Sequence, residues 1–480
     1  MLTRTKDMRQ TRDSSTRSGP VRPSAEIPST DLDHPTRPPI LSARRNGCGR
    51  GVPMSARKTL YCILLFALTI RAVAALGLSS YLASRDRSFL IAGDAQGYWE
   101  LGGRIAAGEP YEIRGQPQDP LAQASLPRQI PRMPGFPLLL GGVRGVVGDS
   151  RLAARLVLAV VGTIACWLVY RLGRRLFDES TGLLAAACCA VSPTIVGFSV
   201  LLLGETLFAV ALLACLLAAV PLVPCRVTAR PGDLGHVDDI PAQRPSLAAA
   251  TLTGLAGCLA VYVRPGWLAA IPLFCLLLVA LAADRRRAIS ESLIVIGVVL
   301  VGLGPWMWRN YHTTGHAVLT TLWVGPSLYD GLRPGATGDS DMRFVIDDGL
   351  FARSDMTEFK IDQHYRQKAW DFAMAHPATV ARLACTKCFR LLKPWPSAEQ
   401  FSSWWQMALV ALPTTLLYVF AVRGGWQVRH TPWSWLILAG PLLYLAALHL
   451  VFVGSLRYRV PAEYPLWILA TAGLRRRTPS

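Results

Sequence analysis

Residues 284–310 read DRRRAISESLIVIGVVLVGLGPWMWRN, and the order of their chemistry decides the fold class. Arg285, Arg286 and Arg287 precede an apolar run over 290–307, which closes on Trp306, Trp308 and Arg309. A helix of about 20 apolar residues crosses the hydrocarbon of a bilayer. Clustered Lys and Arg mark the cytoplasmic end of such a helix, and Trp and Tyr settle at its interfaces. The stretch therefore predicts a helix that enters from the cytoplasm and leaves at an aromatic-rich outer surface. The same pattern recurs on both sides, giving about ten spans: 59–78, 151–172, 181–197, 201–222, 246–263, 266–283, 290–307, 403–422, 432–453 and 460–474. Every connection this arrangement leaves inside is basic. They are Arg171 with Arg174 and Arg175, the segment 224–245 with Arg226 and Arg230, 284–287, Arg423 with Arg429, and the tail from Arg475 to Arg477. The expectation is an all-α polytopic membrane protein with both termini cytoplasmic.

Composition agrees. With 51% hydrophobic and 17% charged residues over 480 positions, the chain is too apolar for a soluble protein of its length. A net charge of +19 in a soluble chain would suggest nucleic acid. Here the positive residues sit in short clusters between apolar runs, so they read as topology and attraction to anionic lipid, with no nucleic-acid partner. Cys166, Cys188, Cys189, Cys215, Cys258 and Cys275 lie inside apolar stretches, where Cys behaves as a small hydrophobe. Cys385 and Cys388 lack a second ligand pair and read as an incidental pair on a helix. Residues 1–53, rich in Arg, Ser, Thr and Pro, read as a disordered basic cytoplasmic tail, with Met54 as a plausible start. The first span reads as an uncleaved anchor, and 54–474 as a transmembrane domain followed by a second basic tail, 475–480.

Two long connections fall outside, 79–150 and 308–402. The apolar stretch 135–148 is short and carries Arg144, so it reads as a helix lying in the outer interface. In the second connection, 355–375 and 377–392 have helical spacing beside a Gly/Asp-rich turn region at 331–349, suggesting a small helical cap. Asp339, Asp341, Asp347 and Asp348 lack calcium-loop spacing and read as a solvated acidic face.

The candidate chemistry gathers at the outer ends. Asp94 precedes Tyr98, Leu101 and Ile105 on one helical face, as an N-cap or as a general base. Glu205 lies in the outer part of the fourth span, where a carboxylate is costly unless paired or facing water. It reads either as a structural partner of Arg71 or another basic residue, or as an acceptor or metal contact in a cavity. Arg132, Arg264, Arg309, Arg457 and Arg459 are positive on the face where the orientation rule disfavours positive charge. A guanidinium fork suits phosphate. The alternative is anchoring to lipid headgroups in a belt with Trp306, Trp308 and Tyr458.

In order along the chain, Gly93-Asp-Ala-Gln-Gly-Tyr-Trp99, Arg132-Met-Pro-Gly-Phe-Pro137, Ala154-Arg-Leu156, Arg174-Arg-Leu-Phe177, Ser192-Pro193, Gly204-Glu-Thr-Leu207, Arg264-Pro265, Pro305-Trp-Met-Trp-Arg-Asn310 and Arg457-Tyr-Arg-Val-Pro461 form a series. On these motifs the chain resembles the GT-C membrane glycosyltransferases of the dolichyl-phosphate-mannose protein mannosyltransferase and aminoarabinose transferase type, from about residue 59 to 474. The resemblance implies an inverting transfer of a sugar from a polyprenyl-phosphate donor to a lipid, polysaccharide or protein acceptor on the outer face. It implies that Asp94 and Glu205 are the catalytic carboxylates and that Arg132, Arg309, Arg457 and Arg459 hold the donor phosphate. Tyr98, Arg264, Asn310 and Tyr458 then belong to the substrate cavity. The protein mannosyltransferases carry an Asp-Glu pair where this chain has Asp94-Ala95, which leaves the acceptor open. A divalent metal on Asp94 and Glu205 also stays open, and no other cofactor is implied. The competing expectation is a transporter or flippase of a lipid-linked substrate, which predicts midplane charges such as Arg71, interrupted helices or internal repeats.

Overall fold

Runs of Leu, Val, Ala and Ile with few breakers form helices wherever a polar cap or a proline sets their ends. The structure, a computed structural model, describes residues 54–91, 93–113, 127–223, 246–397, 401 and 403–474. The expected tails 1–53 and 475–480 and the basic connection 224–245 lie outside the described residues. The first helices are α1 (Met54–Ala83), α2 (Asp94–Ala107), α3 (Gly135–Val147), α4 (Arg151–Leu176), α5 (Glu179–Val191) and α6 (Pro193–Phe198). Next come α7 (Glu205–Ala219), α8 (Leu247–Val263), α9 (Ala270–Leu281) and α10 (Arg285–Thr314). The second long connection holds α11 (Val324–Gly331), α12 (Phe344–Asp347), α13 (Glu358–Ala375) and α14 (Pro377–Leu392). The chain closes with α15 (Trp404–Gln427), α16 (Pro432–Leu438), α17 (Gly440–Leu448) and α18 (Leu456–Leu474). Ser150, Asp178, Asp284 and Thr357 cap α4, α5, α10 and α13, each accepting a backbone N–H of the first turn.

Each expected span falls on helix, and the differences lie in continuity. The third divides at Ser192-Pro193 into α5 and α6, because proline cannot donate into the ladder it interrupts. The ninth divides into α16 and α17. The sixth opens with a short 3₁₀ turn, Pro265–Trp267, before α9. Among the described residues, five helices are each long and apolar enough to cross a membrane: 54–83, 151–176, 205–222, 285–314 and 404–427. The remaining expected spans are shorter, broken, or, like α18, interrupted by Pro461 and Pro465. The protein is an all-α polytopic membrane protein.

Helix α18 is buried along nearly all its length and packs against α4, α5, α7 and α15. Its closest approach is to α15. A Cβ on Gly424 would collide with the Leu469 carbonyl oxygen, and one on Gly473 with that of Phe420. Small residues let membrane helices approach backbone to backbone, where dispersion and weak hydrogen bonds replace the hydrophobic effect. Arg71, fully buried on α1, does not meet Glu205. Its guanidinium donates to the carbonyls of Ala67, Cys189 and Ala190 at 3.0, 3.1 and 3.3 Å. It thereby satisfies carbonyls left open at the buried end of α5 beside the break, supplying charge where the helix dipole is negative.

Above the bundle, α3 buries Phe136, Pro137 and Leu140 and exposes Leu138, Val146 and Val147, the two-faced helix expected there. The connection between α10 and α15 has its own small core of Trp323, Phe344, Val345, Leu350, Phe351, Ile361 and Tyr365. Helices α13 and α14 coincide with the two helical stretches read from the sequence. Cys385 and Cys388 are unpaired thiols on α14.

Candidate active site

Five chain segments meet at one end of the bundle, each bringing one charge. Gly93 takes a left-handed backbone (φ 66°), a conformation suited to glycine, and turns the chain into α2 so that Asp94 is its first residue. Gly93, not Asp94, is therefore the N-cap of α2, and it has no side chain with which to cap the helix. Asp94 Oδ1 pairs with Arg132, in the loop before α3, and Asp94 Oδ2 with Arg457 Nη1 at 2.8 Å. Arg457, in the first turn of α18, turns its Nε the other way, to Glu205 Oε1 at 2.7 Å. Glu205 is fully buried as the first residue of α7, not within a longer span, and the same oxygen is shared with Arg264 at the end of α8. Its other oxygen, Oε2, has no hydrogen-bond partner among the described residues. The Tyr458 ring lies 5.1 Å from the Arg264 guanidinium carbon and 5.2 Å from that of Arg457. Tyr98 meets Phe136 edge to face at 5.1 Å and lies 5.9 Å below the Arg132 guanidinium.

Three guanidiniums thus face two carboxylates in a poorly solvated place, leaving one positive charge without a protein counterion in the network. Burial drives the Asp94 carboxyl upward, but Arg132 and Arg457 outweigh it and hold the group well below the usual carboxylate range. Asp94 is therefore a fixed anion. All of the network but Glu205, which lies behind Arg264 and Arg457, lines a cavity of about 1190 Å³. Asp94, Tyr98, Arg132, Arg264, Arg457 and Tyr458 form its charged and aromatic wall. Ile271 and Pro272 of α9 with Ile296, Val299 and Leu300 of α10 form an apolar wall between helices of the bundle, and Trp323, Asp330 and Ser340 close the cap side.

Three sequence candidates sit elsewhere. Arg309 donates to the carbonyls of Gln129 and Tyr111 at 2.7 and 2.8 Å and stacks against Tyr111 and Trp306. Asn310 is buried and donates to the Val318 carbonyl at 2.9 Å. Arg459 is fully buried, with Nε 2.7 Å from Glu463 and Nη1 2.8 Å from the Leu391 carbonyl at the end of α14. None of the three lines the cavity. The physical reason is common to Arg309 and Arg459: a guanidinium satisfies orphan carbonyls at loop and helix ends as readily as it meets phosphate; Arg309 gives both Nη groups to carbonyls, and Arg459 gives Nη1 to a carbonyl and Nε to the Glu463 carboxylate.

Sequence reading missed Glu358. Its carboxylate, at the start of α13, accepts the backbone N–H of Gln129 at 2.8 Å and of Ile130 at 3.1 Å, pinning the loop that presents Arg132. Burial raises this carboxyl to about 7, against the lowering by those N–H groups and by Arg128 and Arg309. A folded-state value above the unfolded one means that the protonated form is preferred in the folded protein. That stabilisation is complete below the ordinary carboxylate range and is lost as pH rises through about 7. Glu358→Gln removes the titration while keeping an acceptor. The melting temperature of the parent in detergent is expected to fall more between pH 5 and pH 8 than that of the variant, and parallel curves would show that another group titrates.

The donor set does not suit a divalent cation. Both Asp94 oxygens and Glu205 Oε1 are already engaged by guanidiniums, and the excess charge is positive. No group of three or more His, Cys, Asp or Glu is placed to hold a metal among the described residues. An anion fits the arrangement better.

The polytopic helical bundle, with helical connections over a charged cavity at one end, has the GT-C fold. The family model of the dolichyl-phosphate-mannose-protein mannosyltransferases matches residues 131–224, which carry Arg132 and Glu205. The oligosaccharyltransferase of Archaeoglobus fulgidus, tethered to an acceptor peptide containing the NVT sequon, is similar at 13% identity and a TM-score of 0.51, over 88% of this chain and 49% of that one. Its apo form gives 14% identity and a TM-score of 0.50, over 86% and 50%. This chain thus spans about half the length of those proteins. ArnT from Cupriavidus metallidurans bound to undecaprenyl phosphate is similar at 13% identity over 87% of this chain and 76% of that one, with a TM-score of 0.38, too loose to carry weight. No curated protein matches the chain.

Proposed function

We propose that this protein is a glycosyltransferase that takes a sugar from a polyprenyl-phosphate carrier and passes it, with inversion, to a lipid, glycan or protein acceptor at the outer face of the membrane. The observation that carries this reading is Arg457 bridging Asp94 and Glu205 within an Arg-rich cavity wall that faces an apolar wall of α9 and α10. A lipid phosphate needs both: guanidinium forks for the head and apolar helix faces for the chain. The name of the matching family supplies the donor class.

In this reading 54–474 is one transmembrane domain, with 79–150 and 308–402 outside and both termini cytoplasmic, as the basic inside connections require. The phosphate displaces part of the ion-pair network and takes up its excess positive charge. A hydroxyl or amine of the acceptor attacks the anomeric carbon from the face opposite the phosphate. The bond from that carbon to the phosphate oxygen breaks, its electron pair stays on the phosphate, and Arg132, Arg264 and Arg457 stabilise the growing charge. Asp94 aligns the nucleophile and accepts its proton. Because its guanidinium neighbours make it a weak base, that transfer comes late, once the carbon–oxygen bond has opened.

The α5/α6 and α16/α17 breaks are a feature the transporter alternative also predicts. Reconstituted vesicles separate the two readings. A panel of radiolabelled polyprenyl-phosphate sugars is expected to yield labelled acceptor when both are on the same side. Translocation of intact donor with no transfer to any acceptor would overturn the transferase.

A further inference from the structure

We propose that His449, through Nε2, accepts a hydrogen bond from a hydroxyl of the sugar being transferred and so helps decide which sugar is used. The inference rests on the transferase reading above. His449 follows the last residue of α17, is largely buried, and lines the same cavity as Asp94, Arg264 and Arg457. Its ring lies parallel to that of Tyr458, with centroids 4.2 Å apart and 15° between planes. Nδ1 is 2.8 Å from the carbonyl oxygen of Val453.

These contacts fix the tautomer. A carbonyl oxygen only accepts, so Nδ1 carries the proton and donates it to Val453. No carboxylate forms an ion pair with this imidazole among the described residues, while the guanidiniums of Arg264 and Arg457 share its wall. The neutral ring is thus the favoured form, and its remaining nitrogen is a lone-pair acceptor with no other hydrogen bond among the described residues. The neighbouring charged groups offer little of this kind. Both Asp94 oxygens are bonded to guanidiniums, and Glu205 stands behind Arg264 and Arg457. A sugar whose phosphate meets those guanidiniums has hydroxyls within a ring's width of them. A hydroxyl shut away from water there needs an acceptor.

Three variants separate this role from mere packing. H449Q places an amide oxygen near the position of Nε2, H449N keeps a donor near Nδ1 but is too short to set its amide oxygen at Nε2, and H449F keeps the ring against Tyr458 and loses both. The experiment measures kcat/KM in reconstituted vesicles, with whichever polyprenyl-phosphate hexose the parent transfers and with its monodeoxy analogues. H449N and H449F are expected to lose about tenfold or more, with H449Q recovering most of it. One deoxy donor should be used equally poorly by parent and H449N, since the deleted hydroxyl is the one His449 meets. Folded variants as fast as the parent, or a loss equal on every donor, would overturn the assignment. A parent that neither binds nor transfers any polyprenyl-phosphate sugar would overturn the transferase reading and this assignment with it.

Discussion

Asp94→Asn is expected to lower sugar transfer by about 100- to 10,000-fold, the range over which a positioned proton acceptor contributes. Asparagine has nearly the same shape, so α2, the loop of Arg132 and the start of α18 keep their places. What disappears is the negative charge shared by Arg132 and Arg457. The nucleophile loses its proton acceptor, and the guanidiniums lose the counterion that fixes their directions. Phosphate binding is expected to hold or tighten, because the excess positive charge grows by one unit. A fall in kcat with an unchanged or lower KM is therefore the signature; a variant that turns over like the parent would remove Asp94 from the chemistry.

Arg457→Gln is expected to cost about 100- to 1,000-fold in kcat/KM, the size of losing one preorganised donor to developing charge. The fold should survive. Asp94 keeps Arg132 and Glu205 keeps Arg264, so neither carboxylate is left without a cation, and the loss in stability is expected near 3 kcal/mol or below. Arg457→Lys restores the charge but cannot reach two carboxylates at once, so it should recover only a small part of the activity.

Much of this was legible in the chain itself. Apolar runs with basic ends placed the helices, and Arg132, Arg264 and Arg457 stood out because they are positive where topology disfavours positive charge. The structure brings them to Asp94 and Glu205 across separations that no local pattern encodes. Arg309 and Arg459 looked the same in sequence. Their partners include backbone carbonyls of Tyr111, Gln129 and Leu391, far away along the chain, and a carbonyl leaves no signature in the side-chain sequence; only the pairing of Arg459 with Glu463, four residues on, was open to reading. Glu358 and His449 were silent for the same reason, since each acts on or through backbone atoms of another segment.

The binding of a sugar-free polyprenyl phosphate to parent and R457Q protein in lipid nanodiscs tests the central claim most directly. Saturable binding to the parent, at least about tenfold weaker in a folded R457Q protein, is the expected result. Equal affinity in the two would contradict a phosphate site built on Arg457.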